Sequence, residues 1–259
     1  MFSKLFAKPT VAAAPPSTGG RLIYAVGDVH GRLDVLEPLV ADIAADAARA
    51  KPTHRPLLIF LGDYVDRGGA SAGVIDFVQK LQKTEGFEVV ALKGNHEEAM
   101  LQFLDDPGFG PLWLEHGGGP TLVSYGAPPP VGRGDAQAWI RTRDALATAL
   151  PDDHRRFLDS LELIVTVGDY AFVHAGVRPG ASLERQTEHD LMWIRHDFLQ
   201  APGPFEKIIV HGHTPSEAPQ VTPHRIGVDT GVYATGVLTA VRLDGVGPRF
   251  LQAGRRQAA

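Results

Sequence analysis

Residue types that bind metal ions follow five of the apolar runs in this 259-residue chain. The runs are YAVGDVH, LIFLGD, VVALKGN, YAFVH and KIIVHGH, and they end at Asp28 and His30, Asp63, Asn95, His174 and His213. Taken singly, each residue also fits a helix cap, a turn or a hydrogen-bonded core histidine. Because all six stand at a predicted strand end near glycine, we expect the strand ends to gather them around more than one metal ion.

The chemistry of these side chains limits which ions the site could bind. The chain contains no cysteine, so every metal ligand must be an oxygen or an imidazole nitrogen. Such a mixed set suits Mn, Fe or Zn ions and leaves coordination positions for water. Asp28 and His30 can face one ion if their loop turns at its glycines. Asp63 has two carboxylate oxygens and is the residue best suited to bridge two ions.

The elements that would position these side chains alternate along the chain from Arg21 onward. Buried apolar runs predict strands, and apolar residues at helical spacing follow each of the first three. The helical patterns lie at 33–43, 71–83, 97–104, 135–149 and 152–160. Glycine and proline dominate 105–134, which predicts long loops there. The last hundred residues are rich in predicted strands.

These patterns indicate a fold of the α/β (α+β) class. We expect two mixed β-sheets packed face to face, with helices outside and the ligands on loops at one edge. The length and the 44% hydrophobic content are sufficient for a substantial core. The prediction is a single domain at 21–250, with a loop-rich and helical insert at about 105–160. A disordered leader at 1–20 and a tail at 251–259 would flank this domain.

Charge and hydropathy exclude several classes of partner. The formal net charge of -5 provides no electrostatic basis for binding nucleic acid or an anionic membrane surface. No apolar run approaches the ~18 residues of a membrane-spanning helix, and the N-terminal apolar stretch, broken by Pro15 and Pro16, is too short for a secretory signal. We therefore expect a cytoplasmic protein without stable membrane insertion. The sequence leaves the oligomeric state open.

Five sequence blocks, in order, resemble the signature of a known family. They are GDVHGR from Gly27, GDYVDRG from Gly62, GNHE from Gly94, HAG from His174 and GHT from Gly212. Over residues 21–245 the chain resembles the phosphoprotein phosphatases of the calcineurin-like metallophosphoesterase superfamily, above all their short bacterial and phage members. The resemblance implies a two-sheet sandwich and two divalent metal ions, with Mn²⁺ as the first choice and Fe or Zn as compatible alternatives.

The resemblance also implies a role for each ligand-type residue. It implies one ion held by Asp28, His30 and Asp63 and a second held by Asp63, Asn95, His174 and His213. Two such ions, roughly 3.5–4 Å apart, would polarise a bridging water to hydroxide near neutral pH and would neutralise phosphoryl oxygens. The hydroxide would then attack phosphorus directly, without a covalent enzyme intermediate.

Further residues would act on the substrate according to the same resemblance. His96 corresponds to the proposed general acid, and Asp66 to the carboxylate that orients it and raises its basicity. Arg67 and Arg195 would clamp the phosphate through bidentate guanidinium bonds, and Asn95 would also contact the substrate. Without the resemblance, His96 could be a surface histidine, Arg67 an ion-pair partner and Arg195 part of a solvated helix face.

The activity that we expect is that of a metal-dependent serine/threonine protein phosphatase, acting on phosphoserine or phosphothreonine in a phosphoprotein or phosphopeptide. The alternative is hydrolysis of a dinucleoside polyphosphate such as diadenosine tetraphosphate, because bacterial relatives with similar blocks catalyse it. Aspartate at position 66 favours the phosphatase, since those hydrolases tend to have alanine there. A non-catalytic phosphoprotein-binding protein is a third interpretation, which the complete set of ligands disfavours.

Five nearby residues receive no ligand role. We expect His211 to pack in the core or to support the site, and His116 to lie at the surface. Asp229 would either support a metal-binding histidine or form a turn. Trp113 and Trp193 are expected to be core or rim aromatics.

Overall fold

Two five-stranded mixed sheets form the centre of the computed structural model, which describes residues 15–132 and 134–254. The strands are β1 (Ile23–Val26), β2 (Leu57–Phe60), β3 (Glu88–Ala91), β4 (Ile164–Val167), β5 (Tyr170–Val173), β6 (Ile208–His211), β7 (Gln220–Val221), β8 (Arg225–Gly227), β9 (Val237–Leu243) and β10 (Arg249–Gly254). The first sheet has the order β10-β9-β1-β2-β3, and β1, β2 and β3 are parallel. The second has the order β4-β5-β6-β8-β7, and β5, β6 and β8 are parallel.

Helices cover the outer faces of both sheets. They are α1 (Leu33–Ala50), α2 (Ser71–Gln82), α3 (Asn95–Asp105), α4 (Gly110–Glu115), α5 (Gly118–Ser124), α6 (Ala136–Ala149), α7 (Asp152–Asp159), α8 (Glu188–Trp193), α9 (His196–Leu199) and α10 (Val232–Thr235). Within the described ranges, none of these helices combines the length and apolar composition needed to cross a membrane.

Alternation along β1 explains the layering. Ile23 and Ala25 lie in the apolar layer between the two sheets, together with Phe172 of the second sheet. Tyr24 and Val26 point to the opposite face, where they pack with apolar residues of α1, α2 and α3. Successive strand residues face opposite sides of a sheet, so a strand that is apolar throughout must be covered on both sides. The predicted sandwich of two mixed sheets flanked by helices is confirmed.

The prediction of long loops at 105–134 is wrong for the stretches that form α4 and α5. Two of the glycines there serve close packing. A Cβ atom on Gly110 would lie 2.3 Å from the ring of Trp139, and one on Gly118 would lie 2.5 Å from the ring of Trp113. From sequence alone these glycines indicate loops, because a local pattern does not show which aromatic rings pack against them.

Ordered structure extends beyond both predicted boundaries of the domain. The backbone N–H of Ser17 donates to the Asp169 carboxylate at 2.7 Å, and the Asp169 N–H donates to the Ser17 carbonyl at 2.8 Å. Thus the end of the predicted leader packs on the turn between β4 and β5. Strand β10 continues to residue 254, inside the predicted tail. The remaining residues of the leader and tail, 1–14 and 255–259, lie outside the described ranges.

Candidate metal centre

The six predicted metal ligands occupy one space at the carboxyl ends of five strands. They follow β1, β2, β3, β5 and β6, and the carboxyl ends of parallel strands meet at one edge of a sheet. Each of the six is at most 6% exposed. A polar atom buried to this degree is unfavourable without a partner, and the Nε2 atom of His213 has no hydrogen-bond partner among the described residues.

Asp63 links two groups of ligand atoms. His30, Asp63 and His96 offer atoms that lie within 4.8 Å of one another, and so do Asp63, His174 and His213. The Oδ2 atom of Asp63 is 3.6 Å from His30 Nε2, and its Oδ1 atom is 3.5 Å from His174 Nε2. One carboxylate therefore faces two ligand sets, which is the geometry that a residue bridging two ions needs.

Asn95 joins the second of these groups. Its Oδ1 atom lies 2.9 Å from His174 Nε2 and 2.9 Å from His213 Nδ1. The Nδ1–H of His174 donates to the carbonyl of Leu61 at 2.8 Å, so its Nε2 carries a lone pair. A lone pair that faces an amide oxygen cannot form a hydrogen bond with it, whereas a divalent cation stabilises both atoms. The donor set thus fits a metal ion, and the bond from the far ring nitrogen fixes the tautomer that would bind it.

Burial keeps the histidines of the centre in the form that binds metal ions, but it disfavours the ionised form of the carboxylates. It lowers the pKa of His174 to about 3, and it lowers the pKa of His30 and of His213 well below the usual range. Neutral imidazole is the form that binds metal ions. Burial raises the pKa of Asp28 and Asp63, because neighbouring carboxylates add repulsion to the loss of hydration. Positive charge in this space would lower the pKa of these two carboxylates again and so favour their ionised form.

Among the described residues, Asp28 belongs to neither group of three. Its carboxylate oxygens accept the backbone N–H of His213 at 3.1 and 3.0 Å. The Asp229 carboxylate accepts the N–H of Gly231 at 2.8 Å, and its charge adds to burial in raising the pKa of Asp28. Of the two roles expected for Asp229, the structure shows the turn role.

His96 and Arg67 complete the side of the centre near His30. The Nδ1–H of His96 donates to Asp66 Oδ2 at 2.7 Å, which leaves its Nε2 facing the centre, 3.9 Å from Asp63 Oδ2. The Arg67 guanidinium lies 2.8 Å from His30 Nε2 and 3.0 Å from His96 Nε2. His96 is 2% exposed, so it is not a surface histidine, and Arg67 points into the centre rather than toward a surface acid.

The insert positions Asp66, which sequence reasoning did not foresee. The indole N–H of Trp113 donates to Asp66 Oδ2 at 2.8 Å, and the Thr121 hydroxyl donates to Oδ1 at 2.7 Å. Burial raises the pKa of Asp66 to about 7, and these two hydrogen bonds act in the opposite direction. The partners lie 47 and 55 residues from Asp66 in the chain, so no local pattern could have predicted them.

Glu97 is a second residue that sequence reasoning missed. Its buried carboxylate accepts the backbone N–H groups of Asp63 and Tyr64 at 2.8 Å each, of Gly94 at 2.9 Å and of Val65 at 3.2 Å. It therefore ties the loop after β2 to the start of α3, which begins two residues earlier than predicted. Glu97 forms one half of a capping box, in which a glutamate in the first turn accepts the N–H of the residue before the helix. Gly94 has no side chain for the other half, so the sequence carries only a weak signal for this role.

Backbone strain is concentrated at the centre. Six non-glycine residues of the described chain have positive φ, and Lys51 at the end of α1 is one of them. The other five are His30 (φ 47°), Asp63 (54°), Asp66 (72°), Arg67 (68°) and His213 (65°). A left-handed residue costs roughly 1–2 kcal/mol, and such residues persist only where surrounding contacts hold them. The strain coincides with residues that the sequence analysis selected as candidate ligands or, through the family resemblance, as candidate catalytic groups.

Arg195 and Trp193 border the centre on the side of His213. Arg195 is exposed at the start of α9. Its charge adds to burial in lowering the pKa of His213. Trp193 is half-buried, and its indole N–H donates to the Glu98 carboxylate.

The two histidines for which we predicted no ligand role, His211 and His116, lie where the sequence suggests. His211 is buried, and its ring packs edge-on against Phe198 with ring centroids 5.0 Å apart. His116 is exposed at the end of α4. Neither belongs to the two ligand groups found among the described residues.

Comparison with known families agrees with this fold. Residues 21–235 match the calcineurin-like phosphoesterase family. The match covers most of the chain, and the protein belongs to this family. Hydrolysis of a phosphoester by a metallophosphoesterase is therefore the class of reaction.

The more specific similarities include two kinds of enzyme. The bis(5'-nucleosyl)-tetraphosphatase PrpE (asymmetrical) of Bacillus velezensis is 25% identical over 238 residues, which cover 84% of this chain and 87% of that protein. A crystal structure of "a putative diadenosine tetraphosphatase" has a TM-score of 0.59 at 21% identity and covers 93% of this chain and 98% of its own. A cold-active protein tyrosine phosphatase has a TM-score of 0.57 at 18% identity, with coverages of 92% and 81%. At these identities the two structures show a shared fold only.

Substitution of Glu97 by Gln tests its role as an anchor. An amide NH₂ would replace one acceptor oxygen and face a backbone N–H, so at least one buried donor would lose its partner. We expect the free energy of unfolding to fall by about 1–3 kcal/mol, measured by urea denaturation in the presence of a chelator. The matched change Glu37→Gln at an exposed position of α1 should alter it by less than about 0.5 kcal/mol. Equal stability of the two variants would refute the anchoring role.

Proposed function

We propose that this protein hydrolyses dinucleoside polyphosphates with the aid of two divalent metal ions. The observation that carries the substrate class is the similarity, across 84% of the chain, to an asymmetrical bis(5'-nucleosyl)-tetraphosphatase. This reverses the order of the two activities expected from sequence. The dinucleotide substrate becomes the first candidate, and the phosphoprotein becomes the second.

The proposed metal ligands are the six side chains predicted from sequence. Asp63 would be shared, with Asp28 and His30 on one side and Asn95, His174 and His213 on the other. When bound, the ions would lower the pKa of water and neutralise phosphoryl oxygens. A set of imidazole, carboxylate and amide donors without sulfur suits Mn, Fe or Zn, and Mn²⁺ is the first metal to test.

Two arginines are placed to receive the phosphate chain. Arg67 lies 2.8 Å from His30 Nε2, so its guanidinium reaches the atoms around which we propose the chemistry occurs. Arg195 is exposed and approaches from the side of His213. Guanidinium forks pair with phosphate oxygens in bidentate fashion. A polyphosphate carries several negative charges, and cationic groups on two sides would hold it across the centre.

A specific observation favours phosphomonoesters as the second candidate. An alkoxide leaving group needs a proton, whereas a phosphate leaving group is stable as an anion. His96 donates from Nδ1 to Asp66 and directs Nε2 toward the centre, which is the orientation of a general acid for a poor leaving group. Trp113 and Thr121 hold Asp66 in place. A serine/threonine protein phosphatase would use this arrangement more than an anhydride hydrolase.

A comparison of substrates tests the proposal directly. We expect kcat/KM for diadenosine tetraphosphate to exceed that for phosphoserine, phosphothreonine and phosphotyrosine peptides by at least about tenfold, which corresponds to roughly 1.4 kcal/mol in the transition state. The measurement is made with Mn²⁺, Fe²⁺ and Zn²⁺ in turn, and a chelator should abolish turnover. Preference for a phosphopeptide would make the second candidate correct. The absence of chelator-sensitive turnover on any substrate would indicate a binding protein.

Asp63→Asn should lower metal content and activity together. The substitution removes the charge that both ligand groups share, and loss of a shared ligand should cost at least the roughly 10- to 100-fold seen for outer-shell partners. Metal per protein is measured by elemental analysis and activity by phosphate release. Asp152→Asn, at an exposed position of α7, is the control and should leave both unchanged. Full activity with normal metal content in Asp63→Asn would exclude the bridge.

His96→Asn should keep the metal content and reduce turnover. Loss of a general acid typically costs about 10²–10⁴-fold, and we expect the full loss for phenyl phosphate but a smaller one for p-nitrophenyl phosphate, whose leaving group needs less protonation. His54→Asn, at an exposed position before β2, is the matched control. Equal losses for both esters would speak against proton donation by His96.

A further inference from the structure

An exposed tyrosine lies at the edge of the metal centre. Tyr233 is 41% exposed on the one-turn helix α10, whereas its neighbour Val232 is 1% exposed. An aromatic ring in solvent forgoes the free energy of apolar burial. The exposed position of the Tyr233 ring must therefore be imposed by its backbone or serve a function.

The turn that carries Tyr233 is held on both sides. The N–H of Gly231, which has a positive φ of 63°, donates to the Asp229 carboxylate at 2.8 Å. The Arg32 guanidinium donates to the carbonyl of Val232 at 3.0 Å. These bonds, with Val232 in the core, define the direction in which the next side chain leaves the backbone. Tyr233 is thus presented by a fixed support.

The ring of Tyr233 contacts both a candidate ligand and the candidate phosphate clamp. It meets the His30 ring edge-on, with centroids 5.3 Å apart at 88°. The guanidinium carbon of Arg67 lies over one face of the ring, 4.3 Å from its centre, so a base would stack on the other face. A nucleobase is joined to its 5'-phosphate by a single ribose. A nucleotide with its phosphate on Arg67 would therefore bring its base close to this ring.

Other aromatic side chains near the surface are less suited to this task. The Trp193 indole is half-buried, bonded to Glu98 through its N–H and stacked against His189 with centroids 6.2 Å apart. Phe250 is exposed but belongs to β10, at the edge of the first sheet. Of the exposed aromatic rings in the described residues, Tyr233 is the one that borders the centre.

We propose that Tyr233 is the stacking platform for a nucleobase of the substrate, an inference that rests on the proposed hydrolysis of dinucleoside polyphosphates. Stacking of a base on an aromatic side chain strengthens binding by about 5- to 150-fold. Every base has an aromatic face, so the platform accepts different nucleotides. A phosphorylated serine or threonine has no ring to stack, and Tyr233 therefore favours nucleotides over phosphoproteins.

Equilibrium binding of a matched pair of ligands tests the platform. AMP and ribose 5-phosphate carry the same phosphate and sugar, and only AMP has a base. Titration calorimetry on the Mn²⁺-loaded protein should show AMP binding about 5- to 150-fold more tightly than ribose 5-phosphate. Tyr233→Leu should remove this difference while leaving the affinity for ribose 5-phosphate within about twofold. Tyr233→Phe should retain the preference, and Phe250→Leu, at the other exposed aromatic position, should behave as the wild type.

Three results would overturn the platform. These are equal affinity of the wild type for both ligands, no detectable binding of either, and a loss in Tyr233→Leu that is the same for both ligands and so reflects displacement of Arg67. The binding ratio does not require turnover of a dinucleotide. A protein that prefers AMP but hydrolyses only phosphopeptides would therefore refute the proposed function and leave the stacking role standing.

Discussion

The geometry of the centre depends on one buried carboxylate, that of Glu97. It accepts four backbone N–H groups from two loops and so sets the distance between Asp63 and the first turn of α3. Burial raises the pKa of Glu97 to about 7, and its hydrogen bonds from backbone N–H groups act in the opposite direction. The left-handed backbone of Asp63 costs roughly 1–2 kcal/mol, and the four bonds hold this strained loop in place. The protein's own hydrogen bonds therefore fix the conformation of this loop.

The contact between the two sheets completes the centre. His174 of the second sheet donates to the carbonyl of Leu61 in the first, and the N–H of His213 donates to Asp28. Ligands from two sheets thus share one space, and neither sheet alone presents a full set. The apolar layer between the sheets, with Leu61 among its residues, keeps this space fixed and low in dielectric constant. Charge interactions within it are correspondingly strong.

We expect the side chains that border the centre to determine which substrate binds. The same fold occurs in a structure named as a diadenosine tetraphosphatase and in a protein tyrosine phosphatase. A shared core accounts for shared chemistry, and side chains around it account for specificity. In this protein Tyr233 on one border suits a nucleotide, while the pair of His96 and Asp66 suits a poor leaving group. The first feature favours a nucleotide and the second favours a phosphomonoester, and the values of kcat/KM for the two kinds of substrate decide between them.

The sequence alone determined the fold class and the positions of the six candidate ligands. Both follow from local patterns, because apolar runs specify strands and polar residues directly after them must lie at strand ends. The tertiary structure decided what depends on distant partners. Helices formed in the glycine-rich insert because Gly110 and Gly118 admit the rings of Trp139 and Trp113. The hydrogen-bond donors to Asp66 are Trp113 and Thr121, about fifty residues away in the chain. No local pattern shows which distant side chains folding brings together.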